Sequence, residues 1–205
     1  AVQVPAGTYQ IVVARADTTT GSPVADQVRF VTFGSVTNGE YMNYTTPITF
    51  GHNSAAGTNG TAAFAWFEDY VPESFTSPGP SIMYFAGDGS RLAKPEIRRK
   101  PDIGAPDGVN TTFFSSDSAE DTDTFPNFFG TSAAAPHAAG VAALLLEART
   151  KYYGDVLSPD GVKGILQNTA IDMNTPGYDA ATGAGYILAD SALMDLANPA
   201  PYITH

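Results

Sequence analysis

Residues 130–140 read Gly-Thr-Ser-Ala-Ala-Ala-Pro-His-Ala-Ala-Gly, and an almost wholly apolar stretch follows them as far as Ala148. Ser132 therefore stands between a Gly-Thr turn and the start of a predicted helix. Backbone N–H groups in the first turn of a helix have no intrahelical acceptor, and the helix dipole favours negative charge there. A serine at this place can present both its hydroxyl group and its N–H to an oxyanion. On this stretch alone, a plain helix N-cap remains the alternative role.

The helical pattern that begins at Thr131 continues to Lys151 and shows no polar face before Glu147. A helix that is apolar all round has to be buried, so we expect a larger body around it. Ser158 and Pro159 predict the N-cap and first turn of a second helix over residues 161–169. A third helix is predicted from Asp190 or Ser191 to Ala197.

The first part of the chain has the pattern of strands instead. Residues 8–14 and 27–33 alternate polar and apolar side chains, as half-buried strands do, and residues 61–66 predict a short buried strand. We expect residues 1–47 to form a β-rich insertion or a small sheet. A basic run over residues 91–100 holds five of the ten positive charges and predicts a solvated loop.

Composition excludes several function classes. The 205 residues carry a formal net charge of -11, which disfavours nucleic acid as a partner. The absence of cysteine excludes disulfides, cysteine-ligated zinc and a cysteine nucleophile. No apolar run reaches the length of about 18 residues that a membrane span needs. The acidic, charge-poor composition is typical of exported bacterial proteins, so we expect a secreted or extracytoplasmic location.

Residues 115–123 carry four carboxylates in nine positions. The simpler interpretation is a solvated acidic loop. Oxygen ligands at alternating positions also suit a hard cation, so a structural calcium site is the alternative, although the spacing is not that of an EF-hand.

Four segments in order along the chain resemble one protein family. The stretch 130–140 resembles the serine motif of the subtilisin-like proteases, the subtilases. Residues 74–80, Ser-Phe-Thr-Ser-Pro-Gly-Pro, are similar to the family's Phe-Ser-Ser-x-Gly-Pro segment. Residues 100–109 are similar to its Lys-Pro-Asp-(apolar)-x-Ala-Pro-Gly-Val segment, with Asp107 inserted, and residues 183–192 resemble its closing Gly-x-Gly segment.

The resemblance implies a fold, an activity and a site. It implies a partial subtilisin-like three-layer α/β fold over residues 48–205, with a parallel sheet between flanking helices. It implies a serine endopeptidase that hydrolyses protein or peptide substrates through an acyl-enzyme and needs no cofactor for the chemistry. Ser132 would be the nucleophile, and its own N–H one oxyanion donor. His137 matches a structural Pro-His pair of the family and would not be the catalytic histidine.

The rest of the catalytic machinery does not match. A serine nucleophile needs a base and a carboxylate that orients the base, and in subtilases both precede the serine. The family's His-Gly-Thr-His and Asp-(Ser/Thr)-Gly segments are missing from the printed sequence. His52 lies between strand-like segments, in the wrong setting for the base, and His205 is terminal. Asn53 and Asn59 lack the setting of the family's oxyanion asparagine.

We therefore expect the chain to be the C-terminal half of a subtilase catalytic domain, cut at Ala1 and inactive alone. Without its other half, the helix after Ser132 would expose a large apolar patch. Either the missing N-terminal half or self-association would cover it. Two other interpretations stay open, namely a sedolisin-type acid protease, in which a Glu replaces the His, and a non-catalytic subtilase-like binding or structural module.

Overall fold

The computed structural model describes residues 5–10, 12, 47–68, 70–113 and 116–197. The chain divides into two compact units, Ala1–Met42 and Asn43–His205. In the first unit, the Tyr9 hydroxyl group donates to the Pro5 carbonyl oxygen at 2.7 Å. Residues 8–10 and 12 are not in a strand, contrary to the prediction for residues 8–14. The rest of that segment and the strand predicted over residues 27–33 lie outside the described residues.

Within the described residues, the second unit has six short strands followed by three helices. After a 3-10 turn (Gly51–Ser54), its elements are β1 (Thr61–Ala65), β2 (Ser81–Phe85), β3 (Arg91–Arg98), β4 (Ile103–Asp107), β5 (Val109–Asn110), β6 (Asn127–Phe128), α1 (Thr131–Tyr153), α2 (Pro159–Asn168) and α3 (Ala189–Ala197). The predicted helices and the predicted strand at residues 61–66 are thereby confirmed. Within the described ranges, no helix is both long enough and apolar enough to cross a membrane.

A parallel pair of strands, β1 and β4, forms the centre of this unit, with Ala63 opposite Ala105. Gly104 is obligatory in β4, because a Cβ there would lie 1.8 Å from a ring carbon of Phe64. Antiparallel pairs join β2 to β3 and β5 to β6. The chain returns to the central pair near its end, where Tyr186 bridges to Gly104 in parallel.

The central strands bury both faces. One face contributes Ala63, Ile103 and Ala105 to a core that it shares with all three helices. The other face carries Ala62 and Phe64, which pack with Met173 and Tyr186. Since successive side chains of a strand point to opposite faces, this alternation explains why Ala62–Ala65 of β1 and Ile103 and Ala105 of β4 are apolar. The structure is the α/β arrangement expected, a parallel sheet with flanking helices, in partial form.

Helix α1 ends where Gly154 adopts a left-handed conformation (φ 77°) and donates its N–H to the Thr150 carbonyl. One side of α1 is buried through Ala134, Ala138 and Leu145. The opposite side, here called the outer face of α1, is exposed and carries Ala135, Ala139, Ala143, Leu144 and Leu146. The helix is therefore not buried all round within the described part of the chain, and its outer face exposes apolar side chains.

The prediction of a solvated loop over residues 91–100 is wrong in its main part. Residues Arg91–Arg98 form β3, which pairs with β2. Most of its side chains are exposed, so the charges are solvated as expected, but they stand on a strand. Charge density indicates exposure and does not distinguish a loop from the exposed strand of a hairpin.

The basic run ends in a buried ion-pair network at the start of β4. Lys100 and Asp102 are each 1% exposed, and the Lys100 Nζ lies 2.7 Å from an Asp102 carboxylate oxygen. Lys163 of α2 pairs with the other oxygen, and the Gly60 N–H donates to the same carboxylate at 2.7 Å. The Lys100 ammonium also donates to the Thr58 carbonyl. Asp102 thus joins the start of β4 to α2 and to the segment before β1.

Candidate active site

Ser132 is the second residue of α1 and is exposed. The first turn of the helix leaves backbone N–H groups without intrahelical acceptors, so the N-terminus of α1 favours negative charge beside the serine hydroxyl. Pro136 lies four residues further on and cannot donate to the Ser132 carbonyl. Ser132 is not the N-cap, because that position belongs to Gly130. The simpler role considered for the serine is therefore wrong.

Gly130 makes the turn that presents the serine. Its φ of 137° lies in a region that favours glycine. Its carbonyl accepts from the N–H groups of Ala133 and Ala134, at 2.8 and 3.2 Å. Its own N–H donates to an Asp107 carboxylate oxygen at 2.6 Å. The turn before Ser132 is thus held from both sides, by α1 and by the last residue of β4.

Asp107 is completely buried, at 0% exposure. Its second carboxylate oxygen, Oδ1, is buried and has no hydrogen-bond partner among the described residues. Burial raises the pKa of Asp107, the bond from Gly130 lowers it, and the nearby Glu68 raises it further. His137, on the first turns of α1, acts in the opposite direction and lowers that pKa. Asp107 is a carboxyl group whose charged form is incompletely compensated, directly behind the serine turn.

Glu73 is a second acidic side chain close enough to interact with Asp107. Partial burial raises the pKa of Glu73, and the charges of Asp107, Glu68 and Glu120 raise it further. The Glu73 N–H donates to the Ala63 carbonyl at 2.9 Å, which attaches its segment to β1. Carboxyl groups with raised pKa values gathered near one surface are a feature of functional sites, although ion-pair networks also produce them.

Aromatic rings surround the end of β4. Phe67 packs edge-on against Trp66 at 5.7 Å and against Phe129 at 6.0 Å between ring centroids. Gly108 admits them, since a Cβ there would lie 3.0 Å from Phe129 and 3.2 Å from Phe67. Trp66 and Phe129 are exposed. Trp66 and Phe129 therefore form an exposed aromatic surface, and Phe129 directly precedes the turn at Gly130.

The described histidines do not supply an evident base. The His137 Nδ1 lies 2.8 Å from the Ala133 carbonyl oxygen of its own helix, an arrangement suited to a structural role. His52 is exposed on the 3-10 turn between residues 51 and 54. Of the two asparagines considered for the oxyanion site, Asn53 is exposed, and the side-chain oxygen of Asn59 is buried without a hydrogen-bond partner in the described part of the chain.

The acidic run over residues 115–123 is held by amides. Asn127 donates to an Asp121 carboxylate oxygen at 2.8 Å and to the Gly108 carbonyl at 2.9 Å. Asn110 donates to Asp123. Across residues 116–197 and the other described ranges, no three His, Asp or Glu side chains are grouped so as to hold a metal ion. A structural calcium ion stays a prediction.

The structure links Asp107 to the turn before Ser132, because its carboxylate accepts the N–H of Gly130, two residues before the serine. Ser132 was singled out in the sequence because of its place before an apolar helix. Asp107 was noted only as an extra residue in the segment at 100–109, and that departure from the family pattern was the available signal. Nothing in the sequence indicated that its side chain is buried, because an aspartate between Pro and Gly is typical of an exposed turn.

Comparisons with known proteins agree on one family. A model described as the Subtilase family matches residues 9–185. The chain is 31% identical over 147 residues to subtilisin-like protease SBT1.9 of Arabidopsis thaliana, covering 68% of this chain and 19% of that protein. It is 31% identical over 144 residues to fervidolysin of Fervidobacterium pennivorans, covering 70% and 19%.

A solved structure, that of the prenylagaramide maturation protease PagA, has a TM-score of 0.47 and 22% identity, covering 71% of this chain and 44% of that one. The chain spans about a fifth of the length of the curated relatives, 19% in each case.

Proposed function

The chain belongs to the subtilase family, and on that premise we propose that it is the part of a serine endopeptidase that carries the nucleophile, Ser132. The observation that supports this proposal is the exposure of Ser132 on the first turn of α1, after a turn held by Gly130. A hydroxyl group there is accessible to substrate, and the neighbouring N–H groups can stabilise a developing oxyanion.

The proposed reaction follows the acyl-enzyme route. The Ser132 Oγ attacks the carbonyl carbon of a peptide bond while a histidine takes its proton. The Ser132 N–H donates to the oxyanion that forms. The C–N bond then breaks as the histidine gives the proton to the leaving amine, and water hydrolyses the acyl-serine. We assign the histidine and the aspartate that orients it to a segment upstream of this chain, as in the family's order.

The outer face of α1 supports the proposal that the catalytic residues are divided between this chain and an upstream segment. Leu144 is 47% exposed and Leu146 is 36% exposed on a helix whose other side forms the core. The matched part is 19% of the length of SBT1.9 and of fervidolysin, so most of each of these relatives lies outside the match. We propose that the N-terminal half of the same catalytic domain covers this face, and that self-association covers it when that half is absent.

Substrate, location and ions complete the proposal. The substrates would be proteins or peptides, hydrolysed outside the cytoplasm, where the acidic, charge-poor composition suits an exported protein. The chemistry needs no cofactor, and a structural calcium ion would act on stability alone.

Fluorophosphonate labelling, with the site located by mass spectrometry, tests the proposal. The reagent is applied to this chain alone, to the complete polypeptide and to this chain mixed with the separately expressed upstream half. Ser132→Ala in the complete polypeptide is the control. We expect labelling of Ser132 in the complete polypeptide and in the mixture, and none in this chain alone or in the control.

Other outcomes identify the alternatives. Labelling of Ser132 in this chain alone would mean that it carries a working base, against the division proposed. No labelling in any form would favour a non-catalytic subtilase-like module. Labelling that weakens below about pH 6 indicates a histidine base, whereas labelling that persists in acid favours a sedolisin-type site.

A further inference from the structure

Asp107 is a buried carboxyl group whose hydrogen bonding is incomplete within the described residues. It is the last residue of β4, it is 0% exposed, and its Oδ2 accepts the Gly130 N–H at 2.6 Å. No described residue satisfies its Oδ1. A buried carboxyl group with one unsatisfied oxygen costs stability. A buried, incompletely paired carboxyl group is therefore a candidate for a functional role.

The turn that Asp107 contacts leads directly into the first turn of α1, which carries Ser132. Gly130 precedes Ser132 by two residues, and its carbonyl is bound by Ala133 and Ala134 of α1. The Gly130 N–H is bound by Asp107, so the same residue is tied to the helix on one side and to β4 on the other. Gly130 has a φ of 137°, where the backbone of other residues is strained, so the turn also requires a glycine at this position.

We propose that Asp107 is a positioning residue for the nucleophile, and that its carboxyl group orients the first turn of α1, and with it Ser132, by accepting the Gly130 N–H. This inference rests on the proposed function of Ser132. The charged groups that face Asp107 are Glu68 and Glu73, which follow β1, and His137 on α1. Glu68 and Glu73 both repel a negative charge on Asp107. The property of Asp107 that orients the turn is therefore its hydrogen-bond acceptor and not its negative charge.

The proposal makes different predictions for two substitutions of Asp107. Asp107→Asn keeps an oxygen that can accept the Gly130 N–H and removes the charge. Asp107→Ala removes both. A misplacement of a reacting group by about 1 Å can lower a rate by about a hundredfold, so loss of the acceptor should be visible in the reactivity of Ser132.

The experiment measures the second-order rate of fluorophosphonate labelling of Ser132 in the complete polypeptide, together with the thermal unfolding midpoint of each variant. We expect Asp107→Ala to label at least about tenfold more slowly than the wild type, and Asp107→Asn to stay within about threefold. Asp179→Ala is the matched control, because Asp179 also accepts a backbone N–H, that of Ala181 at 2.7 Å, in the segment before α3. It should lower the midpoint and leave the labelling rate of the folded protein unchanged.

The outcomes separate the positioning role from its alternatives. Asp107→Ala labelling at the wild-type rate overturns the inference. The inference is also overturned if Asp107→Asn labels more than about tenfold more slowly than the wild type, because this variant still has the acceptor. If the alanine variant does not fold, Asp107→Leu, which fills the space without an acceptor, takes its place. A wild-type protein that does not label at all overturns the proposed function of Ser132 and this inference with it, a result that no Asp107 variant can imitate.

Discussion

The two buried carboxylates at the ends of β4 differ in how far their charge is compensated. Asp102, just before the strand, has two lysines and the Gly60 N–H around it. Asp107, its last residue, has the Gly130 N–H on one oxygen, and within the described residues nothing bonds the other. A buried charge is stable only when it is paired and hydrogen-bonded. The comparison assigns Asp102 to the framework and Asp107 to the site.

The largest effect is expected on removal of the compensated charge. Asp102→Ala leaves the ammonium of Lys100 buried without its carboxylate, so we expect a loss of about 3–5 kcal/mol in the free energy of unfolding. Denaturant unfolding of the chain measures it. The control is Asp195→Ala, on the exposed side of α3, which should change stability by less than about 0.5 kcal/mol. A loss under about 1 kcal/mol at Asp102 would contradict the role given to this network.

A smaller effect is expected when one of the two lysines is neutralised. Lys163→Met keeps the aliphatic stem of a side chain that is 27% exposed, and removes the charge that faces Asp102. Because Lys100 still pairs with Asp102, we expect a loss of about 1 kcal/mol, again by denaturant unfolding. Lys94→Met, on the exposed strand β3, is the matched control and should change little. Equal losses in the two variants would show that Lys163 is not part of the network.

The smallest effect is expected in the pH dependence of the free energy of unfolding, which should have opposite signs for substitutions of Asp107 and Asp88. Burial raises the pKa of Asp107 in the folded protein, so its stabilising contribution is present below the unfolded pKa and is lost as the pH rises through the folded value. The free energy of unfolding of Asp107→Asn, relative to wild type, should therefore increase between about pH 4 and pH 7.

Asp88 supplies the control with the reverse sign. Its carboxylate accepts from the Ser90 hydroxyl group and N–H, at 2.6 and 2.9 Å, and these bonds lower its pKa. Its contribution is present above the unfolded pKa and is lost as the pH falls, so Asp88→Asn should lose stability relative to wild type as the pH rises. Unfolding midpoints measured across the same pH range compare the two variants. If the stabilities of the two variants relative to wild type changed with pH in the same direction, the raised pKa of Asp107 would be contradicted.

Local sequence was a good guide to elements and a poor guide to charged side chains. The Ser158-Pro159 pair predicted the start of α2, and the Ser158 hydroxyl group does accept the Gly161 N–H at 3.1 Å. A capping side chain acts on its own helix, so neighbours in sequence suffice to predict it. The basic run predicted a loop where β3 stands, because charge density indicates exposure and β3 is the exposed strand of a hairpin with β2.

Apolar periodicity, caps and ordered motifs are local properties of the chain, so they were enough to predict the three helices, the buried strand β1, the family and Ser132 as the residue of interest. The burial of Lys100, Asp102 and Asp107, and the bond from the Gly130 N–H to the Asp107 carboxylate, are visible only in the folded chain. The side of α1 that is left open is also visible only there. Burial and long-range hydrogen bonds depend on segments that meet only after folding, such as β4 with the turn 23 residues later, so no window of sequence contains them.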